Sequence, residues 1–219
     1  MLRRLCDEHR VLLILDEIYT GLGRTGRWFA CEHWGVAPDL ICLGKALTGG
    51  FPLSACVGRA DIMDTAWPPS AGEAIHTSTF LGHPVGCAMA LSQIREIREK
   101  GLPERALLLG NQLLARLSQL PAPTGLGLKA RGLGLLVGLE VQEAGGAPAT
   151  KVVMSVIKGM LNNGYILLPE GEHGNVISFT PPLTITERQL DRTVSVLKNL
   201  LELSRSRTAA PTDREPRRR

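Results

Sequence analysis

The residues of this chain best suited to chemistry stand at the ends of apolar runs. VLLIL (residues 11–15) stops at Asp16, and LICL (40–43) stops at Gly44-Lys45. Short, continuous apolar runs of this kind read as strands of a parallel sheet buried on both faces. In open parallel sheets, ligands collect beyond the carboxyl ends of the strands. Two parallel neighbours would therefore hold a carboxylate and an amine at one sheet edge. An amine placed there is partly desolvated, which favours the neutral form that attacks carbonyl carbons. Gly44 on one side and Gly49-Gly50 on the other leave room for a flat group close to the backbone. Read from residue types alone, the pair is equally compatible with a structural ion pair or with a lysine that simply reaches water.

One cofactor chemistry needs this combination. A lysine that forms a Schiff base, with an aspartate holding a pyridinium nitrogen, is the minimum equipment of a pyridoxal phosphate enzyme. A second pattern competes with it, because GLGRTG (21–26) fits the G-x-G-x-x-G of a dinucleotide-binding turn. Such a turn needs its first glycine directly at the strand end, so that the pyrophosphate meets a helix N-terminus. Here the residues from Asp16 to Thr20 intervene, and Asp16 and Glu17 would repel a pyrophosphate. RWFACEHWGVAPD, which follows, has no long helical period. The acidic ribose partner expected about 20 residues on would have to be Asp39, which instead opens the next strand. A nucleotide-dependent oxidoreductase is therefore disfavoured, and the glycines read as a tight turn near the active-site edge.

The elements that must position these residues follow from the surrounding pattern. LSACVG (53–58) is a third strand, entered through the turn GGFP. Pro84 opens the helix PVGCAMALSQIREIREK, which Gly101 ends, and Pro103 opens PERALLLGNQLLARLSQL. Beyond PAPTGLG the style changes. RGLGLLVGLEV reads as a glycine-punctuated strand, ATKVVMSVIKGMLNN as a helix stopped by Gly164, and YILL and NVISF as strands. Thr186 and Gln189 have capping-box spacing and start a last helix that runs to about Ser204. The plan is a parallel α/β piece over residues 1–100 and a smaller α+β piece over 101–204.

Composition narrows the partners. The net charge of +4 lies in the last fifteen residues, where six arginines face Asp213 and Glu215, so the body is neutral and 205–219 reads as a disordered basic tail. A nucleic-acid-binding fold would carry its basic excess on a folded face. No apolar run is long enough to span a bilayer and no signal-peptide stretch opens the chain, so a cytoplasmic protein without membrane partners is expected. The five cysteines (6, 31, 42, 56 and 87) have no C-x-x-C spacing and read as reduced thiols. Cys31-Glu32-His33 lacks a second ligand pair, and no metal site is expected.

DEIYTGLGRTG, then GVAPDLICLGKALTGGFPLSA, then HTSTFLGHP, in this order and spacing, resemble the class III (ornithine/4-aminobutyrate type) aminotransferases of the fold type I pyridoxal phosphate enzymes. RGLGLLVGLE and SFTPPLTIT extend the resemblance, which covers Leu5 to about Leu203. It implies a partial, mostly parallel large domain followed by a C-terminal small domain, and pyridoxal 5'-phosphate as cofactor. It implies that Asp16 bonds the pyridine nitrogen, that Ile18 packs on one ring face, and that Lys45 holds the cofactor as an internal aldimine and shuttles the substrate Cα proton. Thr79 would bind the phosphate of the neighbouring subunit's cofactor in a homodimer, with Ser78 beside it. Tyr19 stands where relatives often carry glutamine near the phenolic oxygen.

The same resemblance marks departures. Ser178 replaces an arginine that in many relatives grips an α-carboxylate, which tilts the amino donor toward an amine or an ω-amino acid, with a 2-oxo acid or aldehyde as acceptor. His83 replaces an asparagine. The family's chains are considerably longer, and their phosphate loop and ring-stacking aromatic precede the segment matched here. A fragment, with weak cofactor binding and poor turnover by itself, is therefore expected. The alternative is an inactive fragment kept as a dimerisation or interaction module, against which the intact Asp16, Lys45 and Thr79 argue.

Overall fold

The computed structural model of the chain describes residues 1–69, 72, 76 and 80–208. It divides into two compact units, Met1–Leu108 and Leu109–Arg219. The first contains α1 (Leu2–His9), β1 (Ile14–Asp16), β2 (Leu40–Leu43), β3 (Ala55–Gly58), α2 (Ala60–Ala66) and α3 (Pro84–Glu99), and the division falls inside α4 (Leu102–Ser118).

The strand order in the first unit is β1-β2-β3. β1 and β2 run parallel with Asp16 opposite Cys42, as the apolar runs lead one to expect. β3 departs from the expected parallel sheet and runs antiparallel to β2. The connection explains this: Leu43 and Ala55 are joined through a 3-10 turn at Lys45–Leu47 and the glycine turn that follows, too short for the helical crossover that parallel strands require.

Burial on both faces is also not found. Residues opposite each other across a sheet share a face, and faces alternate along each strand. Leu13, Glu17, Asp39 and Leu43 occupy one face and are buried. Ile14, Asp16 and Cys56 occupy the other, where Ile14 keeps 57% of its surface exposed. The continuous apolar pattern has the composition of a two-sided strand, yet at Ile14 the described residues leave one side of β1 open.

Asp39 ties the unit together. It accepts the Leu13 backbone N–H (2.8 Å), Arg3 Nη1 (2.7 Å) and Arg59 Nη1 (3.1 Å), joining β1, α1 and the end of β3. First the Leu13 N–H, then the Arg3 guanidinium, hold its pKa down at about 2. The Asp7 carboxylate first, and then Asp39, push Arg3 further above its ordinary value.

The second unit contains β4 (Leu126–Leu133), β5 (Leu136–Glu143), α5 (Thr150–Asn162), β6 (Leu168–Glu170), β7 (Val176–Phe179) and α6 (Glu187–Thr208). Its sheet has the order β4-β5-β7-β6 and is antiparallel throughout. RGLGLLVGLEV is not one strand: Leu133 pairs with Leu136, and Gly134-Leu135 form the two-residue turn of a hairpin. Gly134 at φ 53 supplies the positive angle that such turns demand at their first position. YILL also moves, since the strand begins three residues later, at Leu168. Leu139, Val141, Val153, Met160, Ile177 and Leu197 fill the core between the sheet and α5 and α6. The Thr186–Gln189 capping box forms, with Thr186 N–H donated to Gln189 Oε1 (2.9 Å) and Gln189 N–H to Thr186 Oγ1 (3.3 Å). α6 continues to Thr208 rather than stopping near Ser204, no glycine or proline interrupting the chain before Pro211.

Candidate active site

Asp16 is the last residue of β1, and the Gly44-Lys45 step follows directly on β2. Parallel pairing brings these ends to one edge of the sheet. The Asp16 carboxylate is exposed on the open face, and its Oδ1 accepts the Ile18 N–H at 2.9 Å. That short loop of chain fixes the carboxylate's direction without covering it. Ile18 turns its side chain toward Gly44, where a Cβ would lie 3.4 Å from Ile18 Cγ2. Glycine at 44 keeps the space between Ile18 and the lysine open.

Lys45 opens a 3-10 turn closed by the Leu47 N–H donated to Gly44 O (2.9 Å), with Leu47 buried beneath. The lysine backbone is left-handed, φ 41, which an L residue adopts only under constraint. Its Nζ sits 4.0 Å from the centroid of the Tyr19 ring, so a cation–π contact holds the side chain over β1's outgoing loop. The ion pairs of the described residues do not include one between Asp16 and Lys45. Lys45 is exposed rather than partly desolvated as its place at a strand end suggests, and carboxylate and amine, held by other partners, remain open to a ligand.

Glu17, the other half of the acidic pair, has a different task. It points into the buried face and accepts the Ala30 N–H (3.0 Å), the Cys31 N–H (2.9 Å) and the Thr20 hydroxyl. This ties both ends of the glycine loop to the end of β1. The loop leads into a 3-10 turn at Ala30–Trp34 and not into an α-helix, so GLGRTG lacks the helix N-terminus on which a pyrophosphate would rest. Gly21 is needed because a Cβ there would lie 2.8 Å from Glu17 O. Sequence reasoning assigned Glu17 only repulsion; its one sequence signal is its place, a step beyond Asp16 and so on the opposite face. Burial first, and then the Glu17 carboxylate, push the Cys31 thiol above its ordinary pKa. His33 bonds within this loop, to Thr25 O (3.0 Å).

Two expected residues, Ser78 and Thr79, lie outside the described residues. His83 precedes α3 and packs its ring on Phe51 (centroids 5.2 Å apart) and Phe80 (5.5 Å), which fastens the turn after Lys45 to the start of that helix. Ser178 lies in β7, opposite Gly138. The structure therefore places Asp16, Ile18, Tyr19 and Lys45 at one sheet edge.

The family model for aminotransferase class-III matches residues 1–201. The chain is 40% identical over 198 residues to the 5-aminovalerate aminotransferase DavT of Pseudomonas aeruginosa, covering 90% of this chain and 45% of that protein. It is likewise 40% identical over 205 residues to a leucine/methionine racemase of Thermococcus litoralis, covering 91% and 44%. Among solved structures, a transaminase from the marine bacterium Virgibacillus superposes with a TM-score of 0.86 at 30% identity, covering 95% of this chain and 48% of that one. The chain spans about half the length of the curated relatives it matches.

Proposed function

The chain belongs to the class-III aminotransferases, and on that premise we propose that it carries the lysine and aspartate of a pyridoxal phosphate-dependent amino transfer. Members of the family depend on that cofactor. The residues present suit it. An exposed carboxylate suits a protonated pyridine nitrogen, an exposed amine suits the aldehyde, and the Ile18 side chain against Gly44 gives an apolar wall for a flat ring. The observation that carries the reading is the parallel β1–β2 register, which sets Asp16 and Lys45 at one edge while leaving each open.

When bound, pyridoxal phosphate supplies the sink for the electron pair left at the substrate Cα. This chain's residues would hold and orient it at the β1–β2 edge. Asp16 would accept the pyridinium N–H and keep that proton in place. Lys45 would hold the cofactor through its aldehyde, and its Nζ, once freed by an amino donor, would carry the proton from the substrate Cα. Tyr19 holds the lysine over the site, and Ile18 excludes water from one ring face. In a homodimer Thr79, with Ser78 beside it, would serve the phosphate at the neighbouring site, as the family resemblance implies. A serine at 178 in place of an arginine fork favours a donor whose amine is far from its carboxylate, or lacks one. The similarity to a 5-aminovalerate aminotransferase supports that choice, and a 2-oxo acid or aldehyde accepts the amino group. Five cysteines without C-x-x-C spacing fit a cytoplasmic setting.

The test is chemical. The chain is incubated with pyridoxal phosphate, reduced with borohydride and digested with trypsin. A modified Lys45 resists cleavage, so the label should appear on the uncut peptide 28–59. Label on another lysine, or none, overturns the assignment. A charge-assisted hydrogen bond contributes about 1.5–3 kcal/mol, so Asp16→Ala should weaken cofactor retention by roughly 10- to 100-fold.

A further inference from the structure

Cys42 and Cys56 face each other directly across the antiparallel β2–β3 pair. Opposed residues in such a ladder alternate between hydrogen-bonded and non-hydrogen-bonded pairs. The Arg59 N–H donates to Asp39 O across the same ladder at 3.1 Å, which makes Asp39–Arg59 a hydrogen-bonded pair. Counting inward, Leu40–Gly58 is non-hydrogen-bonded, Ile41–Val57 hydrogen-bonded, and Cys42–Cys56 non-hydrogen-bonded. In that class the Cα atoms approach to about 4.5 Å and the side chains lie closest. A disulfide needs Cα atoms about 4.4–6.8 Å apart, so the backbone already satisfies the requirement. Both thiols lie on the open face of the sheet, Cys56 exposed and Cys42 half-buried.

We propose that Cys42 and Cys56 form a reversible dithiol–disulfide site, oxidised by exchange with a low-molecular-weight disulfide. The exposed Cys56, as thiolate, attacks one sulfur of the small disulfide; a mixed disulfide forms and one small thiol leaves. Cys42, after losing its proton, then attacks Cys56 Sγ, and the second small thiol leaves. Two protein thiols are oxidised and one small disulfide is reduced to two thiols. The contact is present in the reduced chain, where burial first, and then Cys56 and the Asp16 carboxylate, push the Cys42 thiol above its ordinary pKa. The other cysteines lack this arrangement among the described residues: Cys31 is buried, and Cys6 and Cys87 lie on α1 and α3. Asp16, Cys42 and Cys56 form one row across the sheet, so oxidation would fasten β2 to β3 beside the carboxylate to which the proposed reaction gives the pyridine nitrogen.

The chemistry of the thiols is tested without reference to that reaction. The full chain is treated with oxidised glutathione, alkylated and digested with trypsin, which separates the cysteines onto peptides 28–45 and 46–59. The expected product is these two peptides joined through Cys42 and Cys56, in a chain that stays monomeric on a non-reducing gel and reopens with dithiothreitol. Cys31→Ser should keep the link, because Cys31 shares the first peptide, and Cys42→Ser should stop at glutathione held on Cys56. Glutathione persisting on Cys56 in the wild-type chain, a link from Cys56 to any other cysteine, or a link found only in covalent dimers overturns the proposal.

Discussion

Lys45 is held in a left-handed backbone conformation, and replacing it separates what the fold tolerates from what the chemistry needs. At φ 41 a side chain carries a steric cost of about 1–2 kcal/mol that glycine escapes. Glycine gives back about 0.5–1 kcal/mol through its greater freedom in the unfolded chain. Lys45→Gly should therefore be more stable than Lys45→Ala by about 1 kcal/mol. Both variants lose the same cation–π contact over Tyr19, which cancels from the comparison. Trp28, Trp34 and Trp67 all lie in the first unit, so tryptophan fluorescence follows the unfolding of the unit that holds Lys45. With a urea dependence of about 2 kcal/mol per molar, the midpoints should differ by about 0.5 M, glycine higher. Neither variant should take up pyridoxal phosphate as a borohydride-stable adduct. Equal midpoints, or alanine above glycine, would show that the left-handed turn stores no strain and refute the reasoning.

Asp39 should set the acid limit of the first unit. Its folded pKa of about 2 lies below the ordinary 3.8, so its stabilisation is complete above pH 3.8 and is lost as pH falls through about 2. Urea midpoints of wild type and Asp39→Asn should keep a constant gap above that window and converge within it; a gap that stays constant to pH 2 would contradict the assigned partners. In the second unit, a Cβ on Gly110 would lie 1.9 Å from Gly134 O, a backbone atom of the β4–β5 turn. Gly110→Ala should cost about 1–3 kcal/mol or more by overpacking, lowering the thermal midpoint followed by circular dichroism; an unchanged midpoint would mean that the turn does not rest on α4.

What the sequence made legible was tied to local chemistry. Asp16 and Lys45 could be singled out because each stands just beyond an apolar run, and the parallel direction of β1 and β2 was expected from those runs. The α3 start at Pro84 and the α6 capping box were equally local, each written in one or two residues. What escaped depended on partners distant in sequence or on turn geometry. The direction of β3 hung on the length of the connection after Lys45, and the β4–β5 hairpin on Gly134, which inside an apolar stretch looks like punctuation of one strand. The one-sided exposure of β1 escaped for a further reason: an apolar run reports that a strand suits two covers, not that both are supplied by the residues at hand.

The acidic pair shows how a strand end can serve two purposes with adjacent residues of one charge. Consecutive side chains leave a strand on opposite faces, so Asp16 meets the open face while Glu17 enters the buried one. Glu17 spends its oxygens on Ala30, Cys31 and Thr20, and so ties the glycine loop to the strand. Asp16 accepts one backbone N–H within its own turn and faces outward. Of the glycines that imitate a phosphate-binding motif, Gly21 is in place because a Cβ would press on Glu17 O, and Gly26 because a Cβ would press on Leu107. Their resemblance to a dinucleotide turn comes from close packing, and the carboxylate available to a ligand is the one the loop leaves alone.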